Sequence, residues 1–250
     1  MTPTLCLTFD NMGRAREIAE GLAATPDDAE PGLALGYPRL LALLDELGLR
    51  GTFFIEGWNG LHHPDRVEEL ARRGHEVGLH GWVHERFAAL DRLRAEQLLH
   101  DGTAALARLG LRPKGFRAPG GERGKHTIPV LHALGFRYDS SSDTSDAPQP
   151  SLLGPGLAHI PWRAEMVDSI QYLRHPVRPR TPAELEALWK SLVDAEKGAI
   201  TIVIHAFVSG VDEERFEVVR RVLTHARERG MEIVTAGALA ERVLSQGRSS

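Results

Sequence analysis

The sequence predicts an α/β fold, a distorted (β/α) barrel on a largely parallel sheet, and three observations carry that expectation. Short apolar runs alternate with longer amphipathic ones, the pattern of repeated βα units. The chain has 250 residues, enough for one domain with a full core and the usual size of such a barrel. Asp10, Glu56, His80, Arg117, Asp139 and His205 each close an apolar run, and in a parallel barrel the C-terminal strand ends converge on one face.

Taken in order, strands are predicted at residues 4–9, 51–55, 76–79, 114–117, 137–140, 158–161, 200–205 and 232–234. Helices are predicted at 37–47, 64–73, 91–109, 181–197, 212–229 and 237–244. The first repeats Leu40, Leu41, Leu43, Leu44 and Leu47 at helical spacing and stops at Gly48, and the second stops at Gly74. Asp91 can cap the third, which closes at Gly110. The fourth opens on Thr181, with Pro182 in its first turn and Glu184 as capping-box partner. The fifth ends at Gly230. Residues 11–36 and 141–156, rich in turn formers, are too long for turns and read as walls or lids of a site. No repeat or linker divides the chain, so one domain is expected over 1–244, with 245–250 a disordered tail.

Lys and Arg total 30 against 34 Asp and Glu, and the basic residues are scattered along the sequence. A net charge of -4 gives no electrostatic case for nucleic acid or anionic lipid and points to a neutral or cationic small substrate. Cys6 is the only cysteine, so no internal disulfide can form. No run approaches the roughly 18 apolar residues of a membrane span. Met1-Thr2-Pro3-Thr4 leads straight into a strand, with no basic or apolar leader. The expectation is a cytoplasmic protein acting on a small molecule, with a homo-oligomer compatible with the sequence.

Within Gly78-Leu79-His80-Gly81-Trp82-Val83-His84 two histidines stand four apart and can face one ion. Zinc suits neutral imidazole first, with nickel, cobalt and ferrous iron after it. Where a carboxylate would complete the ligand set the chain has Asn11. Its amide oxygen can reach a metal but brings no charge, so a metal-free site stays open. Asp10 is the candidate base that takes a proton from water, or an Asp that only turns the chain. His205 ends Ile200-Thr201-Ile202-Val203-Ile204; it is a core histidine or the acid that protonates a leaving amine.

Arg117 lies in Gly115-Phe116-Arg117-Ala118-Pro119-Gly120-Gly121. Near Asp10 it would hold that carboxylate ionised and oriented; otherwise it is a surface Arg in an ion pair. Pro119 and Gly120 force irregular backbone toward the site and are candidates for substrate contact. Asp139 or Asp143 can orient His205. Trp58, Trp82 and Trp162 follow strands and can stack on a sugar or heterocycle, or pack the barrel rim. His62 and His63 lack partner spacing and are left outside the site.

Together these motifs resemble the polysaccharide deacetylase family, also called the NodB-homology or carbohydrate esterase family four, over residues 7–239. Thr8-Phe9-Asp10-Asn11 is similar to the first motif, normally Thr-Phe-Asp-Asp, and Gly51-Thr52-Phe53-Phe54 to the second-strand segment. His75-Glu76-Val77-Gly78-Leu79-His80-Gly81-Trp82-Val83-His84 resembles the second motif and Arg117-Ala118-Pro119-Gly120 the third. Tyr138-Asp139-Ser140-Ser141 loosely resembles the fourth and Ile204-His205 the fifth. The resemblance implies metal-assisted hydrolysis of an amide, usually the N-acetyl group of an amino sugar. It gives Asp10 as base, His80 and His84 as metal ligands, Arg117 as the residue steadying the base, and His205 as acid. Backbone donors after the second motif would hold the oxyanion.

This chain departs from the family pattern at Asn11, at Gly81 where Ser or Thr is usual, and in lacking an export signal. Intracellular branches of the family resemble ring-amide hydrolases, including metal-independent allantoinases, and deformylases of lipid-linked amino sugars. The first expectation is therefore a hydrolase of a non-peptide carbon–nitrogen bond, deacylating a small amino sugar or related N-acyl compound. The alternative is a cyclic amide or ureide hydrolase of the allantoinase type without metal. A third reading, an inactive carbohydrate-binding barrel, has the retention of Asp10, His80, His84, Arg117 and His205 against it.

Overall fold

Every residue of β1 (Thr4–Asp10) is buried, and its alternate side chains enter different surroundings. Leu5, Leu7 and Phe9 join the large core between sheet and helices, while Cys6 belongs to a separate cluster with Phe54, Tyr138, Ala158 and Ile160. The two-residue period of a strand therefore puts Cys6, Thr8 and Asp10 on the inner face of the curl. In β8 (Ala199–His205), Ile200, Ile202 and Ile204 join the large core in the same way, which leaves Thr201, Val203 and His205 facing in. The computed structural model describes residues 2–23, 25–143, 145 and 148–247.

The remaining strands are β2 (Thr52–Ile55), β3 (Glu76–Leu79), β4 (Gly115–Phe116), β5 (Tyr138–Asp139), β6 (Ser151–Gly154), β7 (Leu157–His159) and β9 (Glu232–Val234). They form a nine-stranded sheet in the order β6-β7-β5-β4-β3-β2-β1-β8, with β9 also on β1. Every pairing is parallel except β6 with β7. Beyond β7 the chain makes isolated parallel bridges, Ser142 with Trp162 and Val167 with Val203 of β8. The predicted distorted barrel on a largely parallel sheet is thus the observed architecture.

The outer layer contains α2 (Tyr37–Glu46), α4 (Pro64–Arg72), α5 (Arg92–Ala107), α8 (Pro182–Ala195), α9 (Glu213–Glu228) and α10 (Ala236–Gln246). Two start as their caps predict, at Asp91 and Thr181, and a third has a cap not foreseen, Asp212. Asp91 accepts from Arg94 N, Asp212 accepts from Arg215 N, and Thr181 with Glu184 completes a capping box. At the N-terminal ends of the strands, Glu76 accepts from Thr52 Oγ1 (2.6 Å), Tyr138 OH (2.8 Å) and Gly237 N (2.8 Å). That carboxylate ties β2, β3, β5 and α10 together below the site.

Several short elements lie where the sequence predicts loops. The 11–36 connection holds α1 (Ala15–Ala19) and a π-helical turn at Gly32–Gly36, and the 141–156 connection holds β6. Also unforeseen are α3 (Gly57–His62), α6 (Thr127–Ala133) and α7 (Asp168–Leu173). Each spans fewer than two turns, too little for a hydrophobic period to register. The last helix runs through Gln246, past the predicted tail boundary at Ser245, and residues 248–250 lie outside the described residues. Among the described residues no helix is long and apolar enough to cross a membrane.

Candidate active site

The strand ends surround a cavity of about 420 Å³ that Asp10, Asn11, His80, His84 and His205 all line. Parallel pairing of β1 with β8 makes Asp10 and His205 register partners, neighbours on the inner face. Arg117, fully buried at the end of β4, reaches Asp10 across the curl. Its Nη1 donates to Asp10 Oδ1 (2.6 Å) and Thr8 Oγ1 (2.9 Å), its Nε to Ser140 O (2.7 Å) and its Nη2 to Ser140 Oγ (2.8 Å). The guanidinium also lies 4.2 Å from the centre of the Phe54 ring. Most of its donors are thus fixed. One carboxylate oxygen of Asp10 is held, and the group is aimed.

His205 is held as firmly, by a residue not foreseen from the sequence. Its Nδ1 lies 2.6 Å from Asp168 Oδ1, and its backbone N donates to Asp168 Oδ2 (2.9 Å). Ser209 Oγ and Ser169 N bind the same carboxylate at 2.7 and 2.6 Å. A carboxylate on Nδ1 fixes the proton there and turns Nε2 to the cavity. Neither Asp139 nor Asp143 does this. Asp139 accepts from Ser141 N, Ser141 Oγ and Arg123 Nη1, while Ser141 Oγ in turn receives Ala118 N (3.0 Å). Asp139 therefore braces the loop after Arg117 and does not line the cavity. Asp143 lies 3.9 Å from His159. Asp168 opens a short helix 37 residues before His205, and only an acidic residue within the apolar run from Met166 to Ile170 marks it in the sequence.

His80 Nδ1 lies 2.9 Å from Arg117 O, so that nitrogen carries the proton and Nε2 keeps its lone pair. The His84 ring stands 5.2 Å from it, centre to centre. Burial first, and then Arg117 for His80 or His80 for His84, pushes both imidazoles down to about 3, so both are neutral at ordinary pH. Among the described non-glycine residues, Asn11 (φ 63°) and His84 (φ 79°) have left-handed backbone. Such geometry is uncommon outside glycine and collects at functional sites.

Backbone contacts hold Asn11 in place. Asn11 N donates to Phe54 O (3.2 Å), Tyr37 OH to Asn11 O (2.6 Å), Met12 N to Glu56 Oε2 (3.1 Å) and Asn59 Nδ2 to Met12 O (2.6 Å). Among the described residues no partner hydrogen-bonds its side chain, which borders the cavity. The expected ligand corner thus comprises two neutral imidazoles and one amide. Among the described residues, no three His, Cys, Asp or Glu side chains gather where a metal could be held. By donor type the trio fits a divalent ion such as zinc, but it lacks the negative charge that would tighten binding.

The other expectations fare unevenly. Trp58 stacks on His62 at 3.9 Å and, like Trp82, does not line the cavity. Both pack between α3 and the turn after β3, where Trp58 N donates to Trp82 O (3.0 Å). Trp162 does form a wall. Gly121, at φ 87°, lies flat against it, since a Cβ there would stand 2.3 Å from Trp162 Cζ2. Gly120 lines the cavity, whereas Pro119 lines an adjoining one. Within the second motif, the amides of Trp82 and Val83 both donate to Glu85 Oε2 (2.9 and 3.1 Å).

A sequence profile of the polysaccharide deacetylases matches residues 2–138. A peptidoglycan deacetylase of Helicobacter pylori is 31% identical over 170 residues, 66% of this chain and 58% of that protein. The chain spans 34% and 58% of the length of two curated relatives it matches. A structure from Mycobacterium smegmatis assigned to the polysaccharide deacetylases superposes with a TM-score of 0.85 at 30% identity, covering 98% of this chain and 91% of that one. PuuE allantoinase superposes at 0.81 with 18% identity, covering 96% and 89%, a likeness of fold alone.

Proposed function

Because the chain belongs to the polysaccharide deacetylase family, we propose that it hydrolyses the acyl–nitrogen bond of an N-acylated amino sugar. The observation that carries this reading is the register pair Asp10 and His205. A proton acceptor and a proton donor stand side by side, each steadied from behind by its own partner, Arg117 or Asp168.

Water attacks the acyl carbon while Asp10, through the oxygen that Arg117 leaves free, takes its proton. His205 then delivers a proton from Nε2 to the nitrogen as the carbon–nitrogen bond breaks, giving a carboxylic acid and a free amine. Asp168 stabilises the imidazolium required for that step. His80, His84 and Asn11 are the residues that would hold a divalent ion, which when bound supplies polarisation of the acyl oxygen and of water. The names of the relatives support an acetylated amino sugar as the substrate class.

Acetate release from N-acetylglucosamine oligomers tests the reading: the intact protein should release it, and Asp10→Ala and His205→Ala should not. Equal release by all three overturns it. The uncharged ligand corner favours a second reading, ring opening of a cyclic ureide without metal. Ureide hydrolysis that survives exhaustive chelation, with no acetate release, would select it.

A further inference from the structure

A second cavity, of about 320 Å³, adjoins the first and shares Arg16, His84, Gly120 and Arg174 with it. Arg86 lines it too, so three guanidiniums from distant parts of the sequence meet beside the strand-end cavity. The basic residues are scattered along the sequence, yet α1, the turn after β3 and the segment after α7 bring these three together in space.

We infer that this adjoining cavity is a subsite for an anionic substituent, a phosphate or a carboxylate, carried by the substrate on a group next to the acylated nitrogen. Arg16 is paired with Glu20 at 2.9 Å. Among the described residues neither Arg86 nor Arg174 has a carboxylate within ion-pair distance, and Glu122 is the other acidic side chain in the lining. Two unneutralised guanidiniums thus stand against one carboxylate. Arg174 Nη2 donates to Ser169 Oγ (2.8 Å), and Ser169 belongs to the first cavity. The guanidinium is thereby fixed at the boundary, with its other donors unassigned. Loss of hydration in the cleft and the nearby charge of Arg16 hold Arg174 below its usual range despite the more distant Asp168, so an arriving anion relieves repulsion as well as gaining donors. Planar guanidinium suits both carboxylate and phosphate.

The inference rests on the proposed deacylation for the position of the acyl group, but anion binding can be tested without turnover. Inorganic phosphate is titrated at low salt into the full chain and into an Arg86→Ala/Arg174→Ala variant, with binding followed by phosphorus NMR. Both arginines are exposed, so the core survives their loss. Phosphate should bind the variant roughly tenfold more weakly or worse, and an Arg86→Lys/Arg174→Lys variant should regain part of the loss. Equal binding to the full chain and the alanine variant overturns the subsite.

A second arm compares kcat/KM for N-acetylglucosamine 6-phosphate and N-acetylmuramic acid with that for N-acetylglucosamine. The two anionic sugars separate phosphate from carboxylate recognition. The anionic-to-neutral ratio should fall about tenfold in the alanine variant; an unchanged ratio counts against the subsite. Absence of turnover on all three sugars defeats the proposed activity, while the phosphate titration still decides the anion site.

Discussion

Asp10 and His205 enter the cavity with side chains already bonded from behind, whereas Asn11 and His84 enter it with free side chains on strained backbone. The first pair is organised by long-range side-chain contacts. The second is organised by main-chain bonds that only present the side chains. In the proposed reaction the proton-transfer pair is therefore set by the fold, and ion binding would be an addition to it.

Removing the base should break the first wall most completely. Asp10→Ala is expected to lower kcat by about 10²–10⁴-fold and, by stranding the buried Arg117 charge, to destabilise the fold by about 3–5 kcal/mol, read by urea unfolding. A variant that keeps its turnover would show that the wall is only structural. Next in size, Asp168→Asn should reduce kcat on the order of 10²-fold with little change in KM, because His205 loses the partner that stabilises its charged form. A KM effect alone would place Asp168 in binding.

The corner responds to the opposite change. Asn11→Asp restores charge without altering shape, and zinc affinity measured by chelator competition should rise at least about tenfold. No rise would mean that the imidazoles do not share an ion with position 11. The smallest effect concerns the support beneath that corner. Burial pushes the Glu56 carboxyl from 4.5 up to about 8, so between those values the folded chain keeps a proton that the unfolded chain has lost. Stability should be greatest below that window and fall as pH rises through it. Glu56→Gln should flatten the fall, as thermal melts across the window would record.

The features readable in the sequence were those with a local signature. Alternation in Leu5-Cys6-Leu7-Thr8-Phe9-Asp10 fixes which side chains face inward, and Thr181 with Glu184 announces a helix start. Asp10, His80, Arg117 and His205 lie at strand ends, where barrel topology gathers side chains. Asp168 was hidden because its tie to His205 spans 37 residues and obeys no spacing rule. Asp139 was attractive for the same reason as the others, closing an apolar run, yet its carboxylate is occupied by Ser141 and Arg123. Tryptophans after strands carry no sign of which way they turn, so Trp162 on the cavity wall and Trp58 against His62 look alike until packing separates them.

The bridge between Val167 and Val203 ties the segment that follows β7 to the β8 margin of the sheet, and the residue after Val167 is Asp168. Its carboxylate reaches over that join to His205 and Ser209. The residue that orients His205 thus sits directly beside the bridge to β8. One hydrogen-bonded cluster thus serves both the seam beside β8 and the imidazole that the proposed reaction uses.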